Sequence, residues 1–312
     1  MVNAKLAIRQ NPEHRTTVPV GSKAICGGKE LLIVGGPCSV ESLDQMTAVA
    51  EKLRKAPVQA LRGGVFKPRT SPYAFQGMGQ DGLEILRQIR ETSGIPVITE
   101  VMSIEQIKST EAAADVLQIG SRNMQNFELL KAIGQASKPI LLKRGLSATI
   151  EEFVLAAEYI MAHGNSQVIL CERGIRSYDN YTRNVLDLGA VVALKQMTHL
   201  PVIVDPSHAC GRREMVADLA RAAIACGADG LLIECHPDPD RSVSDARQTI
   251  SLESMLELVE SLKSVASAVG RIVIELEEDT SNHSMQLIKG DTICSGQNRS
   301  TQKDEKSIAA GR

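Results

Sequence analysis

Eight short apolar segments recur between residues 31 and 234, and each is followed by a stretch with helical spacing. The segments are continuously apolar rather than alternating, which is typical of parallel strands buried on both faces. Eight strands that alternate with helices predict a single α/β domain folded as a closed (β/α)8 barrel, or TIM barrel. The segments span residues 31–36, 58–62, 96–100, 116–120, 139–143, 167–171, 201–205 and 230–234.

The helical segments have recognisable starts. Thr149 and Glu152 have the spacing of a reciprocal helix cap, and so do Ser42 and Gln45. A last amphipathic segment at 252–262 completes the eight strand–helix units. The structural alternative is an open doubly wound sheet, which would normally carry a G-x-G-x-x-G turn after its first strand, and no such turn is present there.

The two ends of the chain differ from the barrel in composition. Residues 1–30 contain Gly21, Gly27 and Gly28 among short apolar pairs, which predicts a small hairpin or arm that caps the barrel. Residues 31–270 form the predicted catalytic barrel. Residues 271–312 become polar and are predicted to form a mobile tail.

The composition excludes several classes of protein. Lys and Arg (35) nearly balance Asp and Glu (37), so the chain lacks a general basic field for nucleic acid or an anionic membrane surface. No stretch approaches the roughly 18 apolar residues of a membrane span, and the N-terminus lacks an apolar signal core. Seven scattered cysteines favour free thiols in a reducing cytoplasm. Small molecules are therefore the expected ligands.

Ionisable residues stand at the end of every predicted strand, where the active sites of these barrels lie. Six of them are cationic, and six like charges in one cleft are costly unless a polyanion neutralises them. Phosphates and carboxylates are therefore expected as ligands. The arginine fork suits bidentate contacts, whereas lysine can also transfer a proton. The six cations are Arg62, Lys67, Arg69, Arg122, Lys143 and Arg173.

A second set of residues, three of them at strand ends and one in a later loop, has the chemistry of metal ligands. Cys38, His208, Glu234 and Asp245 offer a thiolate, an imidazole and two carboxylates, which suit a divalent transition metal with an exchangeable position. Three of them also have an ordinary interpretation: the cysteine as a small buried hydrophobe, the histidine as a helix cap or a satisfied loop residue, and Asp245 as a solvated loop charge. Cys210, two residues beyond His208, is the alternative sulfur ligand.

Seven motifs in the strand-end loops together point to one enzyme family. They are GGPCSVES (35–42), LRGGVFKPRTSPYAFQG (61–77), QIGSRNMQNFELL (118–130), LLKRG (141–145), ILCERGIR (169–176), VDPSHACGRR (204–213) and IECHPDPDRSVSDARQ (233–248). Over residues 30–265 the chain resembles 3-deoxy-D-arabino-heptulosonate 7-phosphate (DAHP) synthase, in its short microbial class I (beta-type) form without a regulatory domain.

The resemblance implies a role for each of these positions. The four residues with ligand chemistry are implied to hold one divalent ion, which is Mn²⁺, Fe²⁺, Co²⁺ or Zn²⁺. Lys67, Cys38 and His208 are implied to act in catalysis, with Lys67 as the hypothesised proton donor. Asp205 is a candidate for orienting a ligand, or else a turn residue. The phosphoenolpyruvate site is implied to be Arg62, Lys67, Arg122, Lys143 and Arg173. The aldose phosphate is implied to contact Arg69 and Thr70.

The implied reaction condenses phosphoenolpyruvate with D-erythrose 4-phosphate and water, releasing phosphate at the entry to the shikimate pathway, chorismate and the aromatic amino acids. One alternative is the related 3-deoxy-D-manno-octulosonate 8-phosphate synthase, which uses arabinose 5-phosphate. Another is a non-catalytic barrel that acts as a binding partner. The resemblance further implies a cytoplasmic homotetramer with a chorismate mutase as a possible partner.

Overall fold

The computed structural model describes residues 3–69 and 71–274. Eight parallel strands pair in chain order, and the last of them pairs with both its predecessor and the first, so the sheet closes into a barrel. The predicted (β/α)8 fold is confirmed, and each strand lies within two residues of its apolar segment. Two strands precede the barrel, β1 (Val18–Val20) and β2 (Ala24–Cys26). The eight barrel strands are β3 (Leu32–Gly36), β4 (Ala60–Arg62), β5 (Val97–Val101), β6 (Val116–Ile119), β7 (Ile140–Lys143), β8 (Val168–Glu172), β9 (Val202–Val204) and β10 (Gly230–His236). A short strand, β11 (Ile250–Ser251), follows them.

Helices surround the barrel and bury their apolar faces against its outer surface. For example, Met46 and Leu53 from the first helix and Met255 and Val259 from the last share one buried cluster with strand residues such as Ile33. The helices are α1 (Leu43–Leu53), α2 (Gln80–Ser93), α3 (Ile107–Ala113), α4 (Phe127–Ile133), α5 (Ile150–Ala162), α6 (Leu188–Met197), α7 (Pro206–Cys210), α8 (Arg213–Ala225) and α9 (Leu252–Ala268).

One of the two predicted helix caps is complete and the other is half formed. At α5, Thr149 and Glu152 each accept a hydrogen bond from the other's backbone N–H, at 2.8 and 3.1 Å. At α1, the Ser42 hydroxyl accepts from the Gln45 N–H, but Gln45 Oε1 accepts from the Glu41 N–H instead of from Ser42. The reason is that the Gln45 amide turns into the preceding loop, where its Nε2 donates to the Ser39 carbonyl.

The predicted N-terminal hairpin is present, and it forms the floor of the barrel. β1 and β2 pair antiparallel. Val18, Val20, Ala24 and Cys26 project into the same buried cluster as side chains from all eight barrel strands. The turn at Gly21 is so close to Pro96, at the start of β5, that a Cβ there would meet the proline ring at 2.5 Å. The hairpin therefore closes the end of the barrel opposite the catalytic mouth.

A carboxylate of α5 helps to hold the chain before the hairpin on the outside of the barrel. Glu158 of α5 accepts hydrogen bonds from the backbone N–H groups of Lys5, Leu6 and Ala7, at 2.8–3.0 Å. His199 adds a second anchor, because its Nε2 lies 2.6 Å from the Leu6 carbonyl oxygen. The backbone hydrogen bonds hold the pKa of Glu158 below its usual value against the opposing effect of burial.

Replacing Glu158 with glutamine is expected to destabilise the fold by about 1–2 kcal/mol, because an ionised acceptor of several backbone N–H groups becomes neutral. Since the pKa of Glu158 is lowered in the fold, its contribution is present above the unfolded pKa and disappears as the pH falls through the folded value. Urea unfolding at pH 7 and at pH 3 measures this, and the variant should lose stability at pH 7 only. An equal deficit at both pH values would contradict the assignment.

Residues 271–274, which the sequence assigns to the tail, contact the barrel. The backbone of Ile272 bonds to Leu31 and Lys29, and Arg271 forms an ion pair with the buried Asp229 at 3.1 Å. The rest of the predicted tail, 275–312, lies outside the described residues. Within the described part of the chain, none of the helices combines the length and the hydrophobicity that crossing a membrane requires.

Candidate active site and metal centre

The carboxyl ends of the barrel strands surround a cavity of about 520 Å³. Its wall carries eight cationic side chains, together with the acidic Glu100 and Asp245. All six cations noted at the strand ends are among the eight. Such an excess of positive charge in a chain of net charge −2 selects an anionic ligand. The cationic side chains are Arg62, Lys67, Arg69, Arg122, Lys143, Arg173, Arg176 and Arg183.

Four side chains at this mouth converge on one point. Cys38 comes from the loop after β3, His208 from α7, and Glu234 and Asp245 from β10 and the loop that follows it. One potential ligand atom from each residue lies within 4.8 Å of those of the other three. Cys38 Sγ is 3.1 Å from Asp245 Oδ2, and His208 Nε2 is 3.3 Å from Glu234 Oε1. The four residues with ligand chemistry are thus the ones that the fold brings together.

The contacts of this cluster fit a divalent cation. Glu234 Oε1 is buried and accepts no hydrogen bond from a described residue, although Arg62 Nη2 lies 3.2 Å and His208 Nε2 3.3 Å from it. Burial lowers the pKa of His208, which favours the neutral imidazole that binds metals. Burial and the charge of Glu234 raise the pKa of the Cys38 thiol to about 12. A cation at this point would displace the thiol proton and bind the Glu234 oxygen.

Neighbouring side chains orient the cluster. Asp205 accepts hydrogen bonds from the His208 backbone N–H at 2.9 Å and from the ring Nδ1 at 2.7 Å, which leaves Nε2 directed at the other three residues. The orienting contact expected of Asp205 is therefore present. The same Asp205 carboxylate forms an ion pair with Lys143. Gln248 Nε2 donates to the second oxygen of Glu234 at 2.5 Å.

The backbone of Asp245 is strained. Its φ of 56° makes it the one non-glycine residue with positive φ in the part of the chain that the structure describes. Asp tolerates this left-handed conformation better than most residues, and such strain is characteristic of functional sites. Arg183 Nη1 contacts Asp245 Oδ1 at 3.1 Å, so one oxygen is neutralised by arginine while the other faces Cys38 and His208.

Cys210, the alternative sulfur, is directed elsewhere. Its Sγ lies 3.1 Å from the carbonyl oxygens of both Pro206 and Arg212, and the residue does not belong to the converging group. Cys235 alternates with Glu234 along β10 and packs in the layer between strands and helices. Neither sulfur reaches the cluster.

The cations of the cavity wall fall into two groups. Lys67 Nζ donates to the carbonyl oxygen and the sulfur of Cys38, at 2.8 and 2.9 Å, and Arg69 donates to Ser244 Oγ at 2.9 Å. In contrast, the Arg122 and Arg176 guanidinium groups have no hydrogen bond or ion pair with any described residue. Unneutralised guanidinium groups in a cavity are suited to phosphate and carboxylate. Thr70, the other expected contact of the aldose phosphate, lies outside the described residues.

Three residues of the site are not predicted from the sequence to act there. Arg176 lies in the ILCERGIR motif, and its position three residues beyond Arg173 is the one signal for it. Arg183 lies in a long loop without a recognisable pattern. Glu100 ends the third apolar segment, but its position alone indicates no role. In the structure Glu100 has no ion pair with any described residue, and its one side-chain hydrogen bond comes from Gln118 at 3.3 Å.

A closed (β/α)8 barrel that combines a metal-binding type of cluster with a cationic cavity defines an enzyme acting on small anionic substrates. Comparison with known proteins identifies the family within this class of enzymes. Residues 10–270 match the model of the DAHP synthetase I family. The chain belongs to that family.

Relatives of known name agree with this assignment. Phospho-2-dehydro-3-deoxyheptonate aldolase of Thermotoga maritima is 47% identical over 266 residues, which cover 85% of this chain and 78% of the relative. Its crystal structure, titled DAHP synthase, has a TM-score of 0.84 at 45% identity and covers 88% of this chain and 80% of that one. A 2-dehydro-3-deoxyphosphooctonate aldolase of Syntrophobacter fumaroxidans is 32% identical over 254 residues, covering 76% of this chain and 87% of the relative.

Proposed function

We propose that this chain condenses phosphoenolpyruvate with D-erythrose 4-phosphate and water, giving 3-deoxy-D-arabino-heptulosonate 7-phosphate and phosphate. The observation that carries the proposal is the presence, at one barrel mouth, of a four-residue metal-type cluster and eight cations. The reaction needs both, because it joins two phosphorylated substrates at an aldehyde that must be polarised. The 47% identity to a heptonate aldolase, against 32% to an octonate aldolase, favours the four-carbon aldose. The product leads to the shikimate pathway.

Cys38, His208, Glu234 and Asp245 would hold the metal ion. This mixture of sulfur, nitrogen and oxygen ligands accepts Mn²⁺, Fe²⁺, Co²⁺ or Zn²⁺. When bound, the ion supplies Lewis acidity toward an aldehyde oxygen. Asp205 and Gln248 keep His208 and Glu234 in position for it.

The cations divide between the two substrates. Arg69, with Thr70, is assigned to the phosphate of the aldose. Lys143 already forms an ion pair with Asp205 and therefore sits at a fixed place in the wall. The guanidinium forks can accept phosphate or carboxylate in bidentate fashion. Phosphoenolpyruvate is assigned to Arg62, Lys67, Arg122, Lys143 and Arg173.

We assign two side chains to proton transfer. The enol carbon of phosphoenolpyruvate bonds to the aldehyde carbon, and the oxygen that receives the electron pair needs a proton. Lys67, whose Nζ lies 2.9 Å from Cys38 Sγ, is the donor beside the metal-type cluster. Water then adds at the second carbon of phosphoenolpyruvate and loses a proton, after which phosphate departs. Glu100 is assigned as the acceptor of that proton, because burial raises its pKa despite nearby Lys67 and Lys143.

Metal affinity is expected to rise about tenfold for each unit of pH between 6.5 and 8.5, because binding displaces one proton from the Cys38 thiol. The sign follows from its pKa, which is raised to about 12 in the metal-free site, so the thiol is protonated throughout this range. The lowered pKa of His208 means that the imidazole adds no second proton above neutrality. Competition with a chelator at four pH values measures the slope. An affinity independent of pH would contradict cysteine ligation.

The direct test mixes the purified protein and Mn²⁺ with phosphoenolpyruvate and one of two aldoses, erythrose 4-phosphate or arabinose 5-phosphate, and follows the loss of enol absorbance. We expect rapid loss with the four-carbon aldose and little with the five-carbon one. Preference for arabinose 5-phosphate would identify an octulosonate enzyme instead. No loss with either aldose, from folded and metal-loaded protein, would favour a non-catalytic barrel.

We also propose that the chain forms a homotetramer in the cytoplasm, as the family resemblance implies. In support, the outer helices carry partly exposed apolar side chains, among them Phe127 and Tyr159, whose ring centroids are 4.7 Å apart. Light scattering coupled to gel filtration should then give a mass four times 33.6 kDa. A monomer mass would reject the proposal.

A further inference from the structure

Ser244 is a buried residue that contacts two parts of the site at once. It is 2% exposed and immediately precedes Asp245 in the loop after β10. Its Oγ is 2.9 Å from Arg69 Nη1 and 3.4 Å from Cys38 Sγ. One hydroxyl therefore joins the cation assigned to the aldose phosphate to the sulfur assigned to the metal.

The direction of these two hydrogen bonds is limited by their chemistry. A guanidinium group only donates, so the Ser244 oxygen accepts from Arg69. A sulfur that has lost its proton only accepts, so in the metal-loaded site the single hydroxyl hydrogen points from Ser244 to Cys38. Lys67 donates to the same sulfur at 2.9 Å. The sulfur thus receives two hydrogen bonds, one of which originates at the phosphate-binding side of the cavity.

The loop that carries Ser244 is fixed to the loop that carries Cys38. Glu41 Oε1 accepts from the Val243 N–H at 3.1 Å, and Ser242 Oγ donates to the Ser244 carbonyl oxygen at 2.8 Å. Glu41 lies three residues beyond Cys38 in the chain. Because the loop of Ser244 and the loop of Cys38 are held together, a displacement of the Arg69 guanidinium moves the Ser244 hydroxyl relative to the sulfur and does not move the whole loop.

We propose that Ser244 is a positioning residue that couples occupancy of the aldose-phosphate subsite to the metal centre, an inference that rests on the proposed function. Ser244 accepts from one of the five N–H donors of Arg69 and so orients the guanidinium, and a phosphate that binds the remaining donors draws the guanidinium toward itself. The hydroxyl then shifts relative to Cys38, and the electron density that the sulfur offers a bound ion changes. The binding of a phosphate to Arg69 therefore alters the metal centre before any aldehyde reacts.

The test uses Co²⁺-loaded protein, because a cobalt–thiolate bond gives a near-ultraviolet charge-transfer band. Phosphoenolpyruvate at saturation fills its own subsite, and glycerol 3-phosphate, which has a phosphate but no aldehyde, is then titrated. In the unaltered protein the band should shift with occupancy. In Ser244→Ala the shift should disappear, and glycerol 3-phosphate should bind about tenfold more weakly, as expected when a contact that orients a charged group is lost.

The matched control is Val243→Ala, which shortens an exposed side chain of the same loop and leaves the backbone N–H that donates to Glu41. It should keep the shift. A shift of the same size in Ser244→Ala, or its equal loss in Val243→Ala, would overturn the coupling. A band that is present but does not respond to glycerol 3-phosphate in the unaltered protein overturns the coupling alone. The complete absence of a thiolate band overturns the proposed metal site as well.

Discussion

Replacing Cys38 with serine is expected to abolish metal retention and to lower turnover by about 10³-fold or more, since Lewis-acid assistance supplies several kcal/mol to the transition state. Serine keeps the size of the side chain, but its hydroxyl does not ionise at neutral pH, so one of the four converging ligands is lost. Metal content after dialysis and steady-state turnover with added Mn²⁺ measure the two effects.

Cys210→Ser is the matched control for this variant. That thiol is equally buried and lies two residues beyond His208, but it contacts the carbonyl oxygens of Pro206 and Arg212 rather than the cluster. The control should retain both metal and turnover. If Cys38→Ser kept a full equivalent of metal and near-normal turnover, the sulfur would not be a ligand and the metal would have to be bound by a different set of residues.

Lys67→Met should lower kcat by about 10²- to 10⁴-fold, the usual contribution of a general acid. The KM for phosphoenolpyruvate should change much less, because Arg62, Arg122 and Arg173 remain in the cavity wall. Lys67→Arg separates charge from proton transfer, since arginine keeps the positive charge but does not give up a proton at neutral pH. We therefore expect slow turnover from the arginine variant too, with nearly unchanged binding of phosphoenolpyruvate.

The outcome that would contradict this role is a large rise in KM at unchanged kcat in both variants, which would assign Lys67 to binding alone. The exposed Lys131→Met serves as the control, since that ammonium pairs with Glu128 on the outside of α4. Its turnover should equal that of the unaltered protein. Full activity in Lys67→Arg would likewise reject proton donation.

The barrel could be predicted from the sequence because its strands are buried on both faces. Each strand therefore appears as a continuous apolar run, which differs from the polar pattern of the loops. The same topology predicts the cationic mouth: residues as distant in sequence as Arg62 and Arg173 meet because parallel strands all end at one edge. The metal-type cluster is predictable for a further reason. Cys38, His208 and Glu234 occupy strand ends or the first turn after them, where position is set by the sheet.

Loop residues could not be placed in this way. Asp245 reaches the cluster through a left-handed backbone conformation that no local pattern signals, and Arg183 meets it from a different loop. Ser244 is not predicted from the sequence either, because a serine in a polar loop usually indicates only solvation. The sequence predicts a hairpin or arm that caps the barrel, but only the structure shows that the side chains of Val18 and Val20 lie inside it.

The inward position of that hairpin bears on the order in which the protein folds as it leaves the ribosome. β1 and β2 are synthesised before the barrel strands, yet an isolated two-stranded hairpin is marginally stable in water. The surfaces that it covers include Pro96 at the start of β5 and Pro201 just before β9, which emerge some 70 and 175 residues after it. The β1–β2 hairpin therefore cannot complete its packing until β9, the seventh of the eight barrel strands, has been synthesised.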